Sequence, residues 1–174
     1  AKKRNFTVYA FEPSVFNLEL LARNIFINNL SEKITIIPLP LSDELKVSSL
    51  NMTSTDWGGA LSKFDKKYGH DGKNLKEVFK FNTIGISIKN AVNMFHIPAP
   101  DYIKIDVDGI EHLILKGGID VLKNIKSILV EVNEVYKEQD LKVKKILTEA
   151  GLILKEKRQS DLISFGEEFS QAYN

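Results

Sequence analysis

The chain has 174 residues, of which 43% are apolar, and this length suits one domain with a single buried core. Lysine plus arginine number 24 and aspartate plus glutamate number 23, so the net charge of +1 provides no field that would attract nucleic acid or an anionic membrane. The sequence contains no cysteine, which excludes disulfides, thiolate metal sites and cysteine nucleophiles. No apolar run approaches the roughly 18 residues that cross a bilayer. We therefore expect a cytoplasmic protein with no nucleic-acid or membrane partner.

The first part of the chain predicts a strand, a helix and a second strand. Residues 6–11 are rich in β-branched and aromatic side chains and end at Glu12 and Pro13, as a buried strand would. Ser14 is a good N-cap for the next segment, in which apolar residues recur at helical spacing. Residues 34–37 predict another strand, and the two prolines that follow it favour an edge of the sheet.

Residues 43–100 show no single period, and we interpret them as an insertion within one domain that covers residues 1–174. Short β-like pieces at 46–51 and 78–83 flank a polar stretch that contains glycines. This composition suits a loop that recognises an acceptor by stacking on one of its rings; the alternative is an ordinary exposed loop with Trp57 packed into the core. The ring side chains of the stretch are Trp57, Phe64, Tyr68 and His70.

The remaining sequence predicts alternating strands and helices and a closing hairpin. In chain order these elements cover residues 102–107, 109–123 with a break at two glycines, 127–132, 141–150, 152–158 and 162–165. The alternation indicates an α/β domain with a mostly parallel sheet and an antiparallel pair at its C-terminal end.

Acidic residues stand at the ends of three predicted strands, where α/β folds bind their ligands. Glu12 follows the first strand, Asp106 and Asp108 end the strand at 102–107, and Glu131 lies in the strand at 127–132. Glu12 can accept both hydroxyls of a ribose, or it can be a turn carboxylate beside a helix N-terminus.

Asp106, Asp108, Glu111 and His112 place three carboxylates and an imidazole within seven residues. Such a cluster can bind a divalent cation or hold a general base with its orienting partners. Helix capping, with Asp108 as the cap and Glu111 as its reciprocal partner, is the alternative, but it leaves Asp106 and His112 without a role. His70 and His96 have no comparable neighbours in the sequence, and we expect structural or surface roles for both.

Four segments together resemble the FkbM-type methyltransferases, a family of S-adenosylmethionine-dependent O-methyltransferases. They are VYAFEPSVFNLELLARNIFINN, ITIIPLPLSD, DYIKIDVDGIEHLILKGG and ILVEVN, and the resemblance covers about residues 7–133. It implies a Rossmann-like class I methyltransferase fold whose first strand lies between the second and the fourth. It also implies that residues 6–11 are the second strand of that fold and 34–37 the third.

The resemblance assigns roles to individual residues. Glu12 becomes the acid that holds the ribose of S-adenosylmethionine, next to Pro13, while Ser42 and Asp43 lie by the adenine. Asp106 ends the strand that faces the methyl group and touches the cofactor. The acceptors of the family are hydroxyls of saccharides or secondary metabolites.

For catalysis we expect Asp106, Asp108, Glu111 and His112 to line the place where the acceptor hydroxyl meets the methyl group. His112 is the expected proton acceptor, since an unperturbed imidazole titrates near pH 6.5. We expect no metal site. Mg²⁺ held by Asp106, Asp108 and Glu131 is the alternative that we do not favour.

The sequence departs from the family at its start. Family members begin with a strand that ends in an acidic, glycine-rich turn, and no two of the ten glycines are spaced as GxG. Without that strand the sheet either has a gap with two unpaired edges or closes in another pairing. We therefore expect an incomplete catalytic domain that is inactive as it stands and can self-associate. The alternative function is a non-catalytic, methyltransferase-like module that binds a ligand or docks a partner.

Overall fold

The computed structural model describes residues 2–66, 74–133, 137–159 and 168–173, and these ranges contain nine strands and five α-helices. In chain order they are β1 (Val8–Phe11), α1 (Val15–Ile27), β2 (Ile34–Ile37), β3 (Lys46–Met52), β4 (Lys63–Phe64), β5 (Phe79–Gly85), α2 (Ile88–Met94), β6 (Tyr102–Ile105), α3 (Glu111–Lys116), α4 (Ile119–Leu122), β7 (Ser127–Asn133), α5 (Lys137–Glu149), β8 (Leu154–Gln159) and β9 (Glu168–Tyr173). The predicted α/β class is confirmed. None of the described helices has the length and apolar content that a membrane crossing requires.

The described strands form three sheets, with the orders β1-β2, β4-β3-β5 and β6-β7-β9-β8. The pairs β1–β2 and β6–β7 are parallel, and the other four pairs are antiparallel. The prediction of a mostly parallel sheet is therefore wrong for the described strands, and the pairing is mixed. The predicted antiparallel pair at the C-terminal end is present as β8 and β9. The remaining antiparallel pairing arises because β9 also pairs with β7, and because the chain between β2 and β6 folds back as β3, β4 and β5 in a sheet of their own.

β1 and β6 each have a single hydrogen-bonded neighbour among the described strands. β1 pairs with β2 and β6 pairs with β7, so each leaves one backbone edge unpaired in this part of the chain. The ring of Phe6 stacks on that of Tyr102 with centroids 5.6 Å apart, which brings the starts of the two strands near each other. Among the described strands, β1 and β6 are thus separated by a gap and do not pair with each other. Unpaired edges of this kind are also the reason for the predicted self-association.

Most predicted elements are present with altered bounds. The helix predicted from Gly109 begins at Glu111, because Asp108 and Gly109 have φ angles of +61° and +114°, which no α-helix contains. Helix α2 was not predicted, since its seven residues are too few for a clear helical period. The second hairpin strand, predicted at 162–165, lies outside the described residues, and β9 begins at Glu168.

The main hydrophobic core packs helices α3 and α5 against the four-stranded sheet. Ile128, Val130 and Val132 of β7 are buried there, together with Leu115 of α3 and Leu147 of α5. This packing places the carboxyl ends of β6 and β7 on a well-buried frame.

A second, smaller core fills the β4-β3-β5 sheet. Phe64 packs there with Leu50 and Met52, and its ring occupies the space that a side chain at Gly85 would need. The predicted role of Phe64 in a recognition loop is therefore wrong, because the ring is buried. Tyr68 and His70 lie outside the described residues.

Candidate active site

Glu12 stands directly after β1, at the start of α1. Its N–H donates to the carbonyl of Ile37 at 3.2 Å, which extends the β1–β2 ladder by one residue. Its Oε1 accepts the N–H of Ser14 at 2.8 Å. Ser14 caps α1 as predicted, since its Oγ accepts the N–H of Asn17 at 3.3 Å. The carboxylate is thus held at the end of a strand, with half-buried Pro13 between it and the helix cap.

The surroundings of Glu12 suit a hydroxyl-bearing ligand. Burial raises the pKa of this carboxyl, while hydrogen bonds from the Ser14 N–H and the Asn17 side chain oppose the change. No lysine, arginine or histidine in the described ranges forms an ion pair with it. The side chain is neither turned into solvent nor neutralised by a cation, either of which would contradict the predicted ribose contact.

Ser42 and Asp43 follow β2 and are held by backbone packing. The N–H of Ser42 donates to the carbonyl of Ile86 at 2.8 Å, and a side chain at Gly117 would lie 2.5 Å from the carbonyl oxygen of Ser42. Asp43 accepts hydrogen bonds from the Ser42 hydroxyl at 3.1 Å and from Lys46 at 3.0 Å. Burial works against ionisation, but these two bonds outweigh it and lower the pKa of Asp43. The contact of both residues with an adenine stays a prediction.

Asp106, which directly follows β6, comes together with Glu131 of the neighbouring strand β7. The parallel register pairs Ile105 with Val130, so the next residue on each strand is an acid. The hydrogen bond with Glu131 lowers the pKa of Asp106, burial acts in the opposite direction, and the ion pair with Lys104 lowers it further. Two of the acids that the sequence placed at separate strand ends therefore form one carboxyl pair.

Asp108 is engaged by a distant part of the chain. Its Oδ2 accepts the N–H of Leu61 at 2.8 Å, across 47 residues of sequence. The residue before α3 is Ile110, which makes no side-chain capping bond. The capping alternative for Asp108 and Glu111 is therefore wrong, because Asp108 is not the cap of α3 and its carboxylate bonds to another segment.

Glu111 is buried and holds the turn that follows β6. Both carboxylate oxygens accept the N–H of Gly109 at 3.0 Å, and Oε1 also accepts that of Val107 at 3.3 Å. The amide nitrogen of Gln139, on α5, donates to Oε2. Burial raises the pKa of Glu111 to about 7, although the backbone hydrogen bonds oppose it. The carboxyl thus stabilises a turn in which Asp108 has a left-handed conformation.

His112 is buried beside α5. Burial and the positive charge of Lys142 together lower the pKa of His112 to about 4, although Glu138 opposes them. Its Nδ1 has no hydrogen-bond partner among the described residues. The imidazole is therefore neutral at pH 7, and no hydrogen bond in this part of the chain joins it to Asp106. Its role as proton acceptor stays a prediction.

Sequence reasoning did not single out Asn17 or Gln139. Gln139 belongs to the first turn of a polar helix start, where nothing in the sequence marks it as buried. Asn17 interrupts the apolar stripe of α1, which was the available signal. Its side chain binds a loop that lies 41 residues further on, where it accepts the N–H of Gly58 at 3.0 Å and donates to the carbonyl of Gly59 at 3.1 Å.

The family model for the Methyltransferase FkbM domain matches residues 2–154. The chain belongs to the FkbM methyltransferase family. This confirms the resemblance seen in its four segments. The fold is similar to the crystal structure of methyltransferase FkbM from Methylobacillus flagellatus KT, with a TM-score of 0.60 and 16% sequence identity. The alignment covers 97% of this chain and 36% of that one, so the present chain spans about a third of that protein. A search of curated proteins found no match to the present chain.

S-adenosylmethionine is the usual methyl donor of methyltransferases, and the residues of this FkbM domain fit it. Glu12 provides a half-buried carboxylate without a basic partner in the described ranges, which suits a ribose diol. The carboxyl pair of Asp106 and Glu131 suits a positively charged donor group.

A bound metal has less support in this FkbM domain. No three acidic or histidine side chains among the described residues are arranged as metal ligands. Asp108, the third acid of the Mg²⁺ alternative, is hydrogen-bonded to Leu61.

The histidine and tryptophan outside this cluster can now be placed. Trp57 is 63% exposed, so the alternative that packs it into the core is wrong. His96 is an exposed residue with a φ angle of +51°, in the turn after α2.

Proposed function

We propose that this FkbM domain transfers a methyl group from S-adenosylmethionine to a hydroxyl oxygen, in a Rossmann-like class I arrangement. The observation that carries the proposal is Glu12, a half-buried carboxylate with no cationic partner in the described ranges, at the carboxyl end of β1. Glu12 and Pro13 form the donor side of the site, and Asp106 with Glu131 forms the reaction side. Ser42 and Asp43 are assigned to the adenine end.

The short chain between two contacts supports a single crevice for both sides. Gly59 is bound by Asn17, near Glu12, and Leu61 is bound by Asp108, near Asp106. Two residues of chain span at most about 7 Å. The ends of β1 and β6 are therefore close enough for one ligand to contact both.

The chemistry required of the protein is modest. When bound, S-adenosylmethionine supplies an already activated methyl group. The chain has to align the acceptor hydroxyl and take up its proton. Asp106 is a candidate for the second task because it directly follows the strand that faces the site, although its lowered pKa makes it a weaker base than an ordinary carboxylate. Glu111 holds the turn next to it, and His112, neutral at pH 7, is a second candidate for the proton.

The acceptor we propose is a saccharide or a secondary metabolite with a free hydroxyl group. The exposed ring of Trp57 offers an aromatic face on which a sugar ring can stack. A cytoplasmic location stays a prediction.

Titration calorimetry with S-adenosylhomocysteine tests the donor site. We expect Glu12→Gln to weaken binding about tenfold or more, since it removes the charge from a hydrogen bond to a hydroxyl. Glu19→Gln is the matched control, because Glu19 is exposed on α1 and pairs only with Arg23 in the described structure. Equal affinities of the wild type and Glu12→Gln would contradict the proposal.

A further inference from the structure

Residues 53–62, here called the strap, connect β3 to β4 and are braced internally. The hydroxyl of Thr53 donates to the carbonyl of Ala60 at 2.9 Å, which closes the base of the strap. The Ser54 hydroxyl accepts the N–H of Asp56 at 3.0 Å, and the N–H of Gly59 donates to the carbonyl of Asp56 at 3.0 Å. The strap therefore has a defined shape of its own.

Two side chains from other elements bind the backbone of the strap. Asn17, in the first turn of α1, binds two consecutive residues: its Oδ1 accepts the N–H of Gly58 at 3.0 Å, and its Nδ2 donates to the carbonyl of Gly59 at 3.1 Å. Asp108, after β6, accepts the N–H of Leu61 at 2.8 Å. Both contacts are to peptide groups, so they depend on the path of the strap and not on its side chains.

The two contacts stand on opposite sides of the proposed crevice. The Asn17 side chain also lies close enough to the carboxylate of Glu12 to lower its pKa, so a single amide adjoins both the donor side and the strap. Asp108 lies in a turn whose left-handed backbone is held by the buried carboxyl of Glu111. Trp57 lies immediately before the first bound peptide group, and its ring is exposed.

We propose that Asn17 and Asp108 are positioning residues that fix the strap across the crevice and orient Trp57 toward the acceptor. This assigns Asp108 a role different from the direct catalytic one expected from the sequence. The orientation of Trp57 toward an acceptor rests on the proposed function, whereas the fixing of the strap does not. Because the Asn17 amide adjoins Glu12, we expect occupation of the donor side to increase order in the strap.

Limited proteolysis with chymotrypsin tests the attachment directly, at the bond between Trp57 and Gly58. We expect Asn17→Ala to speed cleavage there about tenfold, because two hydrogen bonds that oppose opening of the strap are lost. Asn24→Ala is the matched control, since Asn24 is an exposed residue of the same helix. The exposed Phe26 gives an internal reference for general loosening of the fold.

Two variants at position 108 separate the hydrogen bond from the charge. Asp108→Gly removes the acceptor and tolerates the left-handed backbone, and it should raise cleavage after Trp57 as Asn17→Ala does. Asp108→Asn keeps an acceptor oxygen and also tolerates that backbone, so the cleavage rate should stay near that of the wild type. Fluorescence anisotropy of Trp57, the single tryptophan of the chain, should fall in the first variant and not in the second.

The outcomes are distinct. Wild-type cleavage rates after Trp57 in both Asn17→Ala and Asp108→Gly would overturn the inference, and so would a rise that is equal after Trp57 and after Phe26. S-adenosylhomocysteine should slow cleavage after Trp57 in the wild type and not in Asn17→Ala. If it slows cleavage in neither, while Asn17→Ala is still cleaved faster than the wild type, the coupling of the strap to the donor side fails and the attachment of the strap stands, while the calorimetry of Glu12→Gln decides the donor assignment separately.

Discussion

The four-stranded and two-stranded sheets differ in how well their residues are buried. Alternate residues of β7 are buried, whereas all four residues of β1 are only half-buried. Helix α5 buries Val143 and Leu147, while α1 exposes both Phe26 and Ile27 at its end. The reaction-side carboxyls thus lie on strands that are packed into the main core, whereas Glu12 follows a strand that is less well buried. The position of Glu12 relative to Asp106 consequently depends on cross-links such as Asn17 and the strap.

The largest expected effect is on stability. Leu147→Ala should lower the free energy of unfolding by about 2–5 kcal/mol, because Leu147 is fully buried in the main core. The matched change Leu18→Ala, in half-buried α1, should cost less than half as much. Denaturant unfolding followed by circular dichroism measures both. Equal losses of unfolding free energy would show that α1 is packed as tightly as α5.

A second test concerns pH and compares Glu111 with Glu12. Burial raises the pKa of Glu111 from 4.5 to about 7, so the folded state retains a proton that the unfolded state has lost. The free energy of unfolding should therefore fall as pH rises from about 4.5 to about 7. Over this range the equilibrium constant for folding should decrease by up to about tenfold per pH unit. Glu111→Gln should flatten this slope. Gln139 suits that variant, because its Oε1 has no partner among the described residues and can accept the new amide.

Denaturant midpoints at several pH values give the slopes for both carboxyls. The pKa of Glu12 is also raised by burial, but hydrogen bonds from Ser14 and Asn17 oppose the shift. We therefore expect Glu12→Gln to change the slope less than Glu111→Gln does. The reverse order would show that the donor side is the more deeply buried of the two.

The last test concerns His112, whose expected pH effect has the opposite sign. Its pKa is lowered from 6.5 to about 4, so the unfolded state binds a proton that the folded state does not. Its contribution to stability is complete above pH 6.5 and is lost as pH falls toward 4, which is opposite in sign to that of Glu111. We compare the free energy of unfolding of His112→Leu with that of the wild type at two pH values. The difference should shift in favour of the variant at pH 4.5 compared with pH 7. A constant difference, measured by thermal unfolding at both pH values, would place the imidazole in contact with water.

Several elements were predictable because their signals are local. Ser14 caps α1, the strand at Ile34–Ile37 has the expected bounds, and Gly117 and Gly118 separate α3 from α4 as the glycine pair indicated. The pairing of β3 with β5 was not predictable, since it joins residues that are distant in the sequence, from Met52 with Phe79 to Lys46 with Gly85. Trp57 and Phe64 lie in the same polar stretch of the sequence, yet one is exposed and the other buried.

The sequence by itself determined the family, the order of most strands and helices, and the acids at three strand ends, because these depend on residue type and spacing along the chain. The tertiary structure alone decided which acids meet. Strand register joins Asp106 to Glu131, whereas Asp108 binds Leu61 and Glu111 is enclosed by its own turn and α5. Burial and hydrogen bonding between distant segments arise only when the whole chain packs, and they set the charge and orientation of each carboxyl.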